Sequence, residues 1–191
     1  MVNIKMFALK DLAYIKFCIV DESQKDLIKT KWITSANLLP ENTLAMPFSE
    51  YELKPDERLL IETGDILIKR INPTYVNYIT CDLKNVYVYN NLIIIRAEKI
   101  NSKYLGFILN DRIEFLGIKS SVGAIRATIN RLELENLPIP VCSESKQELI
   151  GELWIKSMMK KKMQLRLAEL ENIRELAIIN KLISQKTGGI K

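Results

Sequence analysis

The stretch that decides the fold runs from Ser145 to Gln185 and reads SKQELIGELWIKSMMKKKMQLRLAELENIRELAIINKLISQ. Pro138 and Pro140 precede it, Gly188-Gly189 follow it, and no proline interrupts it. Proline ends helices because it lacks a backbone N–H, and glycine is typical of the position just past a helix end. The stretch therefore predicts one long helix, which would span roughly 60 Å at ~1.5 Å per residue.

Apolar residues recur along this predicted helix at intervals of three and four. The stripe that we assign to a partner helix consists of Leu149, Leu153, Met163, Leu167, Leu170 and Ala177. Because the helix is longer than a small domain is wide, we expect it to pack against a partner helix. Lys156, Lys160 and Arg174 interrupt the heptads and predict irregular packing. Two shorter helices with a break near 160–162 are the alternative.

Composition limits the class of protein. Of the 191 residues 48% are hydrophobic, enough for a folded core, and no apolar run reaches the ~18–20 residues of a membrane span. The first residues lack a signal-peptide pattern and the three dispersed cysteines are typical of reduced thiols, so we expect a cytoplasmic protein. Because histidine is absent, a Ser/His/Asp triad is excluded and we expect no metal site.

The first 140 residues mix short strand patterns with few helical ones. β-Branched or alternating runs predict strands at 66–69, 75–80, 85–89 and 91–96, and a helical period predicts a helix at 101–110. The run 112–119 returns to a strand pattern. We therefore expect a mixed fold (α/β in the sense of α+β). A strand-rich domain at 1–142 would precede a long coiled-coil-like helix at 143–191.

Six short segments occur in an order and spacing that resemble a known family. They are Lys31-Trp-Ile-Thr-Ser, Gly64-Asp-Ile-Leu-Ile-Lys-Arg, Asn91-Leu-Ile-Ile-Ile-Arg, Ser102-Lys-Tyr-Leu, Gly123 through Ile129, and Leu134-Glu-Asn-Leu-Pro-Ile-Pro-Val with Gln147. Together they cover most of the chain and resemble one half of a type I restriction–modification specificity subunit. The sequence departs from that family at Pro140-Val-Cys-Ser-Glu-Ser, where a second proline pair is common.

The resemblance implies a function as well as a fold. Full-length specificity subunits carry two target-recognition domains and two long helices, and this sequence has one of each. The resemblance therefore implies a half-length form that needs a second copy, in a homodimer through the long helix, or another half. The family binds double-stranded DNA but neither cuts nor methylates it. The resemblance therefore implies a non-catalytic subunit with no cofactor of its own. It would dock on a DNA methyltransferase subunit, which binds S-adenosylmethionine, and in some systems on a restriction subunit.

DNA contact needs cations for the phosphates and forked donors or amides for base edges. Such residues fall at predicted strand ends or in loops, and the net charge of +5 is compatible with nucleic-acid binding. The candidate DNA-binding residues are Lys31, Thr34, Ser35, Lys69, Arg70, Asn72, Lys119, Ser120, Ser121 and Arg126. Each also fits an ordinary solvated surface position. Arg70 and Arg126 are favoured, because arginine can make a bidentate contact with guanine.

Three alternatives stay open. A strand-rich adaptor that does not bind DNA would use the same helix to dimerise. The basic middle of the helix, around Lys160–Lys162, is either a track for DNA phosphates or a solvated face. The run Ile71-Asn-Pro-Thr-Tyr75 resembles the Asn-Pro-Pro-Tyr motif of adenine-N6 methyltransferases, which hold a flipped base. The second proline and a glycine-rich cofactor loop are missing, so a methyltransferase fragment is a remote alternative.

Overall fold

A computed structural model describes residues 5–23, 27–119 and 127–187, except for the side chains of 114–119 and 184–187. The strands are β1 (Lys5–Ala8), β2 (Ala13–Phe17), β3 (Ile28–Ile33), β4 (Leu38–Leu39), β5 (Thr43–Leu44), β6 (Ser49–Leu53), β7 (Ile66–Lys69), β8 (Val76–Tyr78), β9 (Val86–Val88), β10 (Leu92–Ala97) and β11 (Pro138–Val141). The α-helices are α1 (Ser102–Lys119), α2 (Arg131–Glu135) and α3 (Glu144–Thr187). This order confirms the predicted mixed α+β fold, in which a strand-rich region precedes one long helix.

The core is organised around a four-stranded antiparallel sheet in the order β2-β10-β7-β8. Its two central strands, β7 and β10, are runs of isoleucine and leucine with both faces buried. Ile93 and Ile95 belong to one core, whereas Leu92 and Ile94 belong to a second core on the opposite face. A strand buried on both faces requires an unbroken apolar run, and that is the pattern that predicts β10 from the sequence.

The second core lies between this sheet and a three-stranded sheet in the order β6-β3-β9, in which β3 and β9 are parallel. Trp32 on β3 is fully buried there. Its ring centroid lies 5.3 Å from that of Tyr87 and 5.9 Å from that of Tyr89. These aromatic contacts hold β3 beside β9 and fix where both strands end.

The first core lies on the other face of the central sheet, beneath α1 and the start of α3. Leu105, Leu109 and Ile113 are buried and stand one turn apart on α1. The predicted strand at 112–119 is wrong, because Ile113 continues the stripe of Leu105 and Leu109 and its burial requires a further turn of helix. The helix predicted at 101–110 is confirmed in position and continues to Lys119.

α1 and α3 cross at two glycines. A Cβ placed on Gly106 would lie 2.5 Å from Cζ3 of Trp154. A Cβ placed on Gly151 would lie 2.9 Å from the backbone nitrogen of Tyr104. The helices approach this closely only because neither position carries a side chain. The start of α3 is therefore part of the globular core.

β11 leads into α3 and pairs antiparallel with β1, so that Lys5 lies opposite Val141. Gln147 in the first turn of α3 is 7% exposed and fixes this exit. Its Oε1 accepts a hydrogen bond from the backbone N–H of Asn101 at 3.0 Å, and its Nε2 donates to the carbonyl of Cys142 at 2.8 Å. Because these bonds are shielded from water, they set the direction in which the helix leaves the sheet.

The Gly64-Asp65 turn before β7 is structural. Gly64 has a φ of 94°, a conformation that glycine adopts without strain. Asp65 is 1% exposed, and its carboxylate accepts hydrogen bonds from the Arg96 guanidinium at 2.8 and 2.9 Å. The same contact raises the pKa of Arg96 above its ordinary value. A buried carboxylate is tolerated only when it is paired and hydrogen-bonded, so Asp65 ties the turn to β10.

α3 is continuous from Glu144 to Thr187, which confirms the predicted long helix and excludes a break near 160–162. Its 44 residues correspond to roughly 65 Å at ~1.5 Å per residue. Met158 is the last side chain that packs against the first core, and every described side chain from Met159 to Ile183 is exposed. We call Glu144–Met158 the docked part and 159–187 the projecting part. The predicted domain boundary at residue 142 stays a prediction.

Candidate nucleic-acid interface

One edge of the two sheets brings together five of the ten predicted DNA-contact residues. β7 ends and β10 begins there, since the Arg70 N–H donates to the carbonyl of Asn91 at 2.9 Å. β3 ends beside them, since the Tyr89 N–H donates to the carbonyl of Ile33 at 2.9 Å. We call this the polar edge; it carries Thr34, Ser35, Lys69, Arg70 and Asn72.

Thr34 and Ser35 lie in a turn that is held by a buried asparagine. The backbone N–H and Oγ1 of Thr34 donate to Oδ1 of Asn37 at 2.8 and 2.9 Å. Asn37 is 6% exposed, and its Nδ2 donates to the carbonyl of Ala45 at 2.9 Å. Ser35 is exposed at the tip. The turn is therefore preformed, and it offers one free hydroxyl to a ligand.

Lys69 is held in place by an aromatic ring. Its Nζ lies 5.4 Å from the ring centroid of Tyr75 and donates to the Tyr75 hydroxyl at 3.3 Å. The hydroxyl in turn donates to the carbonyl of Leu38 at 2.8 Å. These contacts reduce the rotamer freedom of the Lys69 side chain, which lowers the entropy cost of a further contact.

Arg70 is half-buried and follows β7 directly. Its guanidinium carbon lies 5.8 Å from the ring centroid of Phe17. Its Nε is buried and has no hydrogen-bond partner among the described residues. Asn72, two residues on, is exposed with a φ of 49°, and its N–H donates to the carbonyl of Ala127 at 2.7 Å. Both residues thus follow the end of β7 at the polar edge.

Lys31 differs from the other candidates in its position. It lies inside β3 and not at a strand end as predicted, and its exposed side chain lines an open depression of about 640 Å³ together with Lys29, Lys84 and Glu50. Lys29 is paired with Glu50 at 2.8 Å, which lowers the pKa of that carboxyl and raises the pKa of Lys29. The depression is therefore of mixed charge and is separate from the polar edge.

Four further predicted contacts lie outside the described residues. They are the side chain of Lys119 and the residues Ser120, Ser121 and Arg126. Their role in DNA binding stays a prediction. The next described residues do reach the polar edge, since Thr128 forms a β-bridge with Ile71.

The sequence reasoning missed one cation at this edge. Arg131, the first residue of α2, places its guanidinium carbon 4.6 Å from the ring centroid of Phe17. Its side chain is 54% exposed. No local pattern marks it, because its position depends on how α2 packs against the end of β2, far away in the sequence.

The stripe assigned to a partner helix is exposed along its whole length. Leu149 and Leu153 of the docked part are 61% and 57% exposed, because this part turns Trp154 and Ile155 towards the core instead. Met163, Leu167 and Leu170 of the projecting part are 65%, 57% and 47% exposed, and Ala177 is exposed as well. An exposed apolar stripe of this kind, although interrupted by Lys156, Lys160 and Arg174, is typical of a protein–protein contact.

The basic middle of α3 is partly neutralised. Lys161 pairs at 2.5 Å with Glu41, in the turn between β4 and β5, and Arg166 pairs at 2.5 Å with Glu169. These contacts favour the interpretation of a solvated face over that of a phosphate track. The Glu41 contact also places the β4–β5 hairpin against the helix where the projecting part begins.

The Asn72-Pro73-Thr74-Tyr75 run does not form a base pocket. Pro73 is buried, and the Tyr75 ring is engaged by Lys69 while its hydroxyl bonds to Leu38. A flipped base would need a free aromatic face and a free amide in one cavity. The geometry therefore argues against the alternative that this chain is a methyltransferase fragment.

Across residues 5–23, 27–119 and 127–187, no group of three metal-ligating side chains comes together. No helix in those ranges is long and apolar enough to cross a membrane. Cys18, Cys81 and Cys142 form no disulfide, and burial raises the pKa of the Cys18 thiol to about 12. The thiol therefore stays protonated and unreactive inside the second core.

No protein-family model matches the sequence, and no curated protein matches it. Solved structures do. The HsdS subunit from Thermoanaerobacter tengcongensis has 16% identity and a TM-score of 0.61, over 86% of this chain and 39% of that one. A chain from a structural study of complex assembly and conformational transition of the type I R-M system has 16% identity and a TM-score of 0.67, over 96% and 45%.

The type I restriction–modification S subunit from M. genitalium has 14% identity and a TM-score of 0.50, over 97% of this chain and 44% of that one. This chain thus spans less than half the length of each structure. Its fold is that of one part of a type I S subunit, with the strand-rich domain and the long helix matched together. The resemblance predicted from the sequence segments is confirmed at the level of the fold.

Proposed function

We propose that this chain is the sequence-specific DNA-recognition subunit of a type I restriction–modification system in the cytoplasm. The polar edge reads one half of a bipartite target, and the long helix pairs with a second copy that reads the other half. The chain is not an enzyme. It docks DNA methyltransferase subunits, which supply S-adenosylmethionine, and, where the system cuts DNA, a restriction subunit.

The observation that carries this proposal is the structural match of domain and helix together. Over 96% of the chain, one matched type I chain shares the fold with a TM-score of 0.67. A free-standing DNA-binding domain would have no need of an additional helix with roughly 40 Å projecting from it, at ~1.5 Å per residue. A helix that spaces two recognition domains along a duplex does need that length.

The polar edge gives the proposal its chemistry. Lys69 and Arg70 supply cations, while Ser35 and Asn72 supply a hydroxyl and an amide that are exposed. Phosphate contacts position a protein on DNA, and amides and guanidinium groups can read base edges. The edge is prearranged by Asn37 and Tyr75, so little ordering would be needed on binding.

DNA binding as a function of salt tests this function. A pool of random duplexes is first enriched over several rounds for binding to the purified chain. The affinity of the chain for the enriched duplex is then measured by fluorescence anisotropy from 50 to 300 mM salt. We expect one enriched bipartite sequence and a log–log salt slope of about −0.9 per phosphate contacted. If the protein shows no DNA binding at low salt, with or without a methyltransferase subunit, it is the adaptor and not a specificity subunit.

Light scattering at moderate and high salt tests the pairing of the helices. Because the stripe is apolar, we expect a dimer that persists at high salt, and therefore a palindromic arrangement of the two half-sites. A monomer under both conditions would contradict homodimerisation. It would direct the search towards a second specificity chain or a methyltransferase subunit as the helix partner.

A further inference from the structure

Two arginines converge on one aromatic ring at the polar edge. The guanidinium carbons of Arg70 and Arg131 lie 5.8 and 4.6 Å from the ring centroid of Phe17. The two cations are therefore within about 10 Å of each other, the distance over which charges still interact at 0.1 M salt. Phe17 is itself 6% exposed and is fixed in the first core, so the arrangement is anchored.

The ion pairs among the described residues do not account for the arrangement. None of the ion pairs among the described residues includes Arg70, and its buried Nε has no partner there. Arg131 has a single weak contact, to Glu135 at 3.4 Å. Two like charges held this close repel each other, so an anion that binds beside both of them would be favoured.

We propose that Arg70 and Arg131, which both lie against the ring of Phe17, form a clamp for the phosphate backbone of duplex DNA. This inference rests on the proposed function, and it adds a residue, Arg131, that the sequence had not indicated. It also changes the expected role of Arg70 from reading a base to gripping a phosphate.

The geometry favours phosphate over a base edge. The Nε of Arg70 is buried, so the side-on donor pair of its guanidinium is closed to a ligand and only the end-on pair of terminal nitrogens remains. A bidentate contact with guanine needs that one remaining pair aligned in the plane of the base, whereas phosphate oxygens accept from any outward N–H. The backbone of Arg70 is also fixed on both sides, since its N–H donates to Asn91 and its carbonyl accepts from Ile129, each at 2.9 Å. This anchoring limits how far the guanidinium reaches.

The test compares salt slopes of three charge-removing variants on the selected duplex and on an unrelated one. Arg70→Gln and Arg131→Gln each remove one cation of the clamp. Lys99→Gln removes an exposed lysine at the far end of β10, roughly 20 Å away at ~3.3 Å per residue, and serves as the control. Thermal unfolding confirms that each variant is folded before it is used.

We expect each clamp variant to weaken binding to both duplexes and to reduce the magnitude of the salt slope by about 0.9, with no change for Lys99→Gln. Arg131→Lys should recover the slope, because it restores the charge. If Arg131→Gln leaves affinity and slope unchanged while the wild type binds DNA, the clamp is wrong and the proposed function survives. If Arg70→Gln abolishes sequence discrimination and leaves the slope unchanged, Arg70 reads a base and the clamp is also wrong. If the wild type binds no DNA, both proposals fail together.

Phe17→Leu tests the ring separately from the charges. This variant keeps both arginines and most of the apolar volume but removes the cation–π contacts. We expect the affinity for DNA to fall about threefold with an unchanged salt slope, because cation–π contacts are weak and both charges remain. An affinity equal to that of the wild type in the folded variant would show that the ring does not position the arginines.

Discussion

The docked and the projecting parts of α3 belong to one uninterrupted helix, yet one is packed into the domain and the other is exposed. The docked part turns Gly151, Trp154 and Ile155 into the first core and leaves Leu149 and Leu153 outside. The projecting part exposes Met163, Leu167 and Leu170 on the continuation of that outer stripe. The same helix thus has one face that belongs to its own domain and another that is left for a partner.

The difference explains why the heptad pattern is irregular. A helix that serves one partner shows one apolar stripe, whereas α3 carries two stripes that overlap only between Gln147 and Met158. Ile150, Trp154 and Met158 fall on the inner stripe, and Met158 is the last described residue on it that packs against the first core. The apolar pattern of the sequence is therefore the sum of two interfaces, of which the inner one ends with the docked part.

The largest effect is expected where the docked part is most deeply packed. Trp154 is 8% exposed and makes an edge-on contact with Tyr78, with ring centroids 6.1 Å apart. Trp154→Ala should reduce the free energy of unfolding by about 3–5 kcal/mol, because it leaves a large cavity. Leu167→Ala in the projecting part is the matched control and should change it by less than about 0.5 kcal/mol at low protein concentration. Urea denaturation of both variants measures this contrast.

The helix crossing gives the next largest effect. Gly151→Ala should destabilise the domain by about 1–3 kcal/mol, because its Cβ would meet Tyr104 and α1 would have to move away. Asn172→Ala in the projecting part places the same residue, alanine, at an exposed helical site and should be neutral or slightly stabilising, because alanine has the higher helix propensity. If thermal unfolding shows Gly151→Ala to be as stable as the wild type, the close crossing is not required.

A substitution in the projecting part should change association and leave folding alone. Leu170→Glu places a charge in the middle of the exposed stripe, where two copies would pair. We expect light scattering to report a monomer for this variant, while its far-ultraviolet circular dichroism stays that of the wild type. Glu169→Gln is the control on the neighbouring face and should remain a dimer. A dimeric Leu170→Glu protein would place the interface elsewhere.

The smallest effect concerns pH at the junction of the two helices. The Lys103 ammonium holds the pKa of Glu152 below its ordinary value of 4.5. A carboxyl with a lowered pKa contributes stability above its unfolded pKa and loses it as the pH falls through the folded pKa. The difference in stability between the wild type and Glu152→Gln should therefore be present at pH 7 and shrink below about pH 4.5. Thermal melts of both proteins at several pH values check this trend. A stability difference between them that grows as the pH falls would contradict the prediction.

Local signals in the sequence predict the helix and the central strands because their causes are local. β7 and β10 are unbroken apolar runs, and α3 lies between proline and glycine boundaries. Local signals predict the run 112–119 wrongly, because a short alternating stretch fits a strand as well as a helix. Only the burial of Ile113 one turn after Leu109 decides for the helix, and that depends on the sheet beneath it.

The candidate site shows the same limit. Thr34, Lys69 and Arg70 are predictable because each follows an apolar run that becomes a strand, and strand ends meet at sheet edges. The sequence predicts Lys31 at a strand end, but it lies inside β3, which runs from Ile28 to Ile33. Arg131 is missed altogether, because only the fold brings α2 to Phe17. Which residues are polar and mobile can be found in the sequence, but which of them share an edge requires the topology.

The pairing of β1 with β11 places Lys5 beside Val141, three residues before α3 begins. The chain therefore enters and leaves the strand-rich domain at nearly the same point, at the base of the helix. The docked part of α3 packs on this domain, so an exchange of the domain would have to include the docked part and would leave only the projecting part and its stripe in place. Under the proposed function, a new DNA specificity could thus be acquired by recombination within α3, without any change to the projecting part.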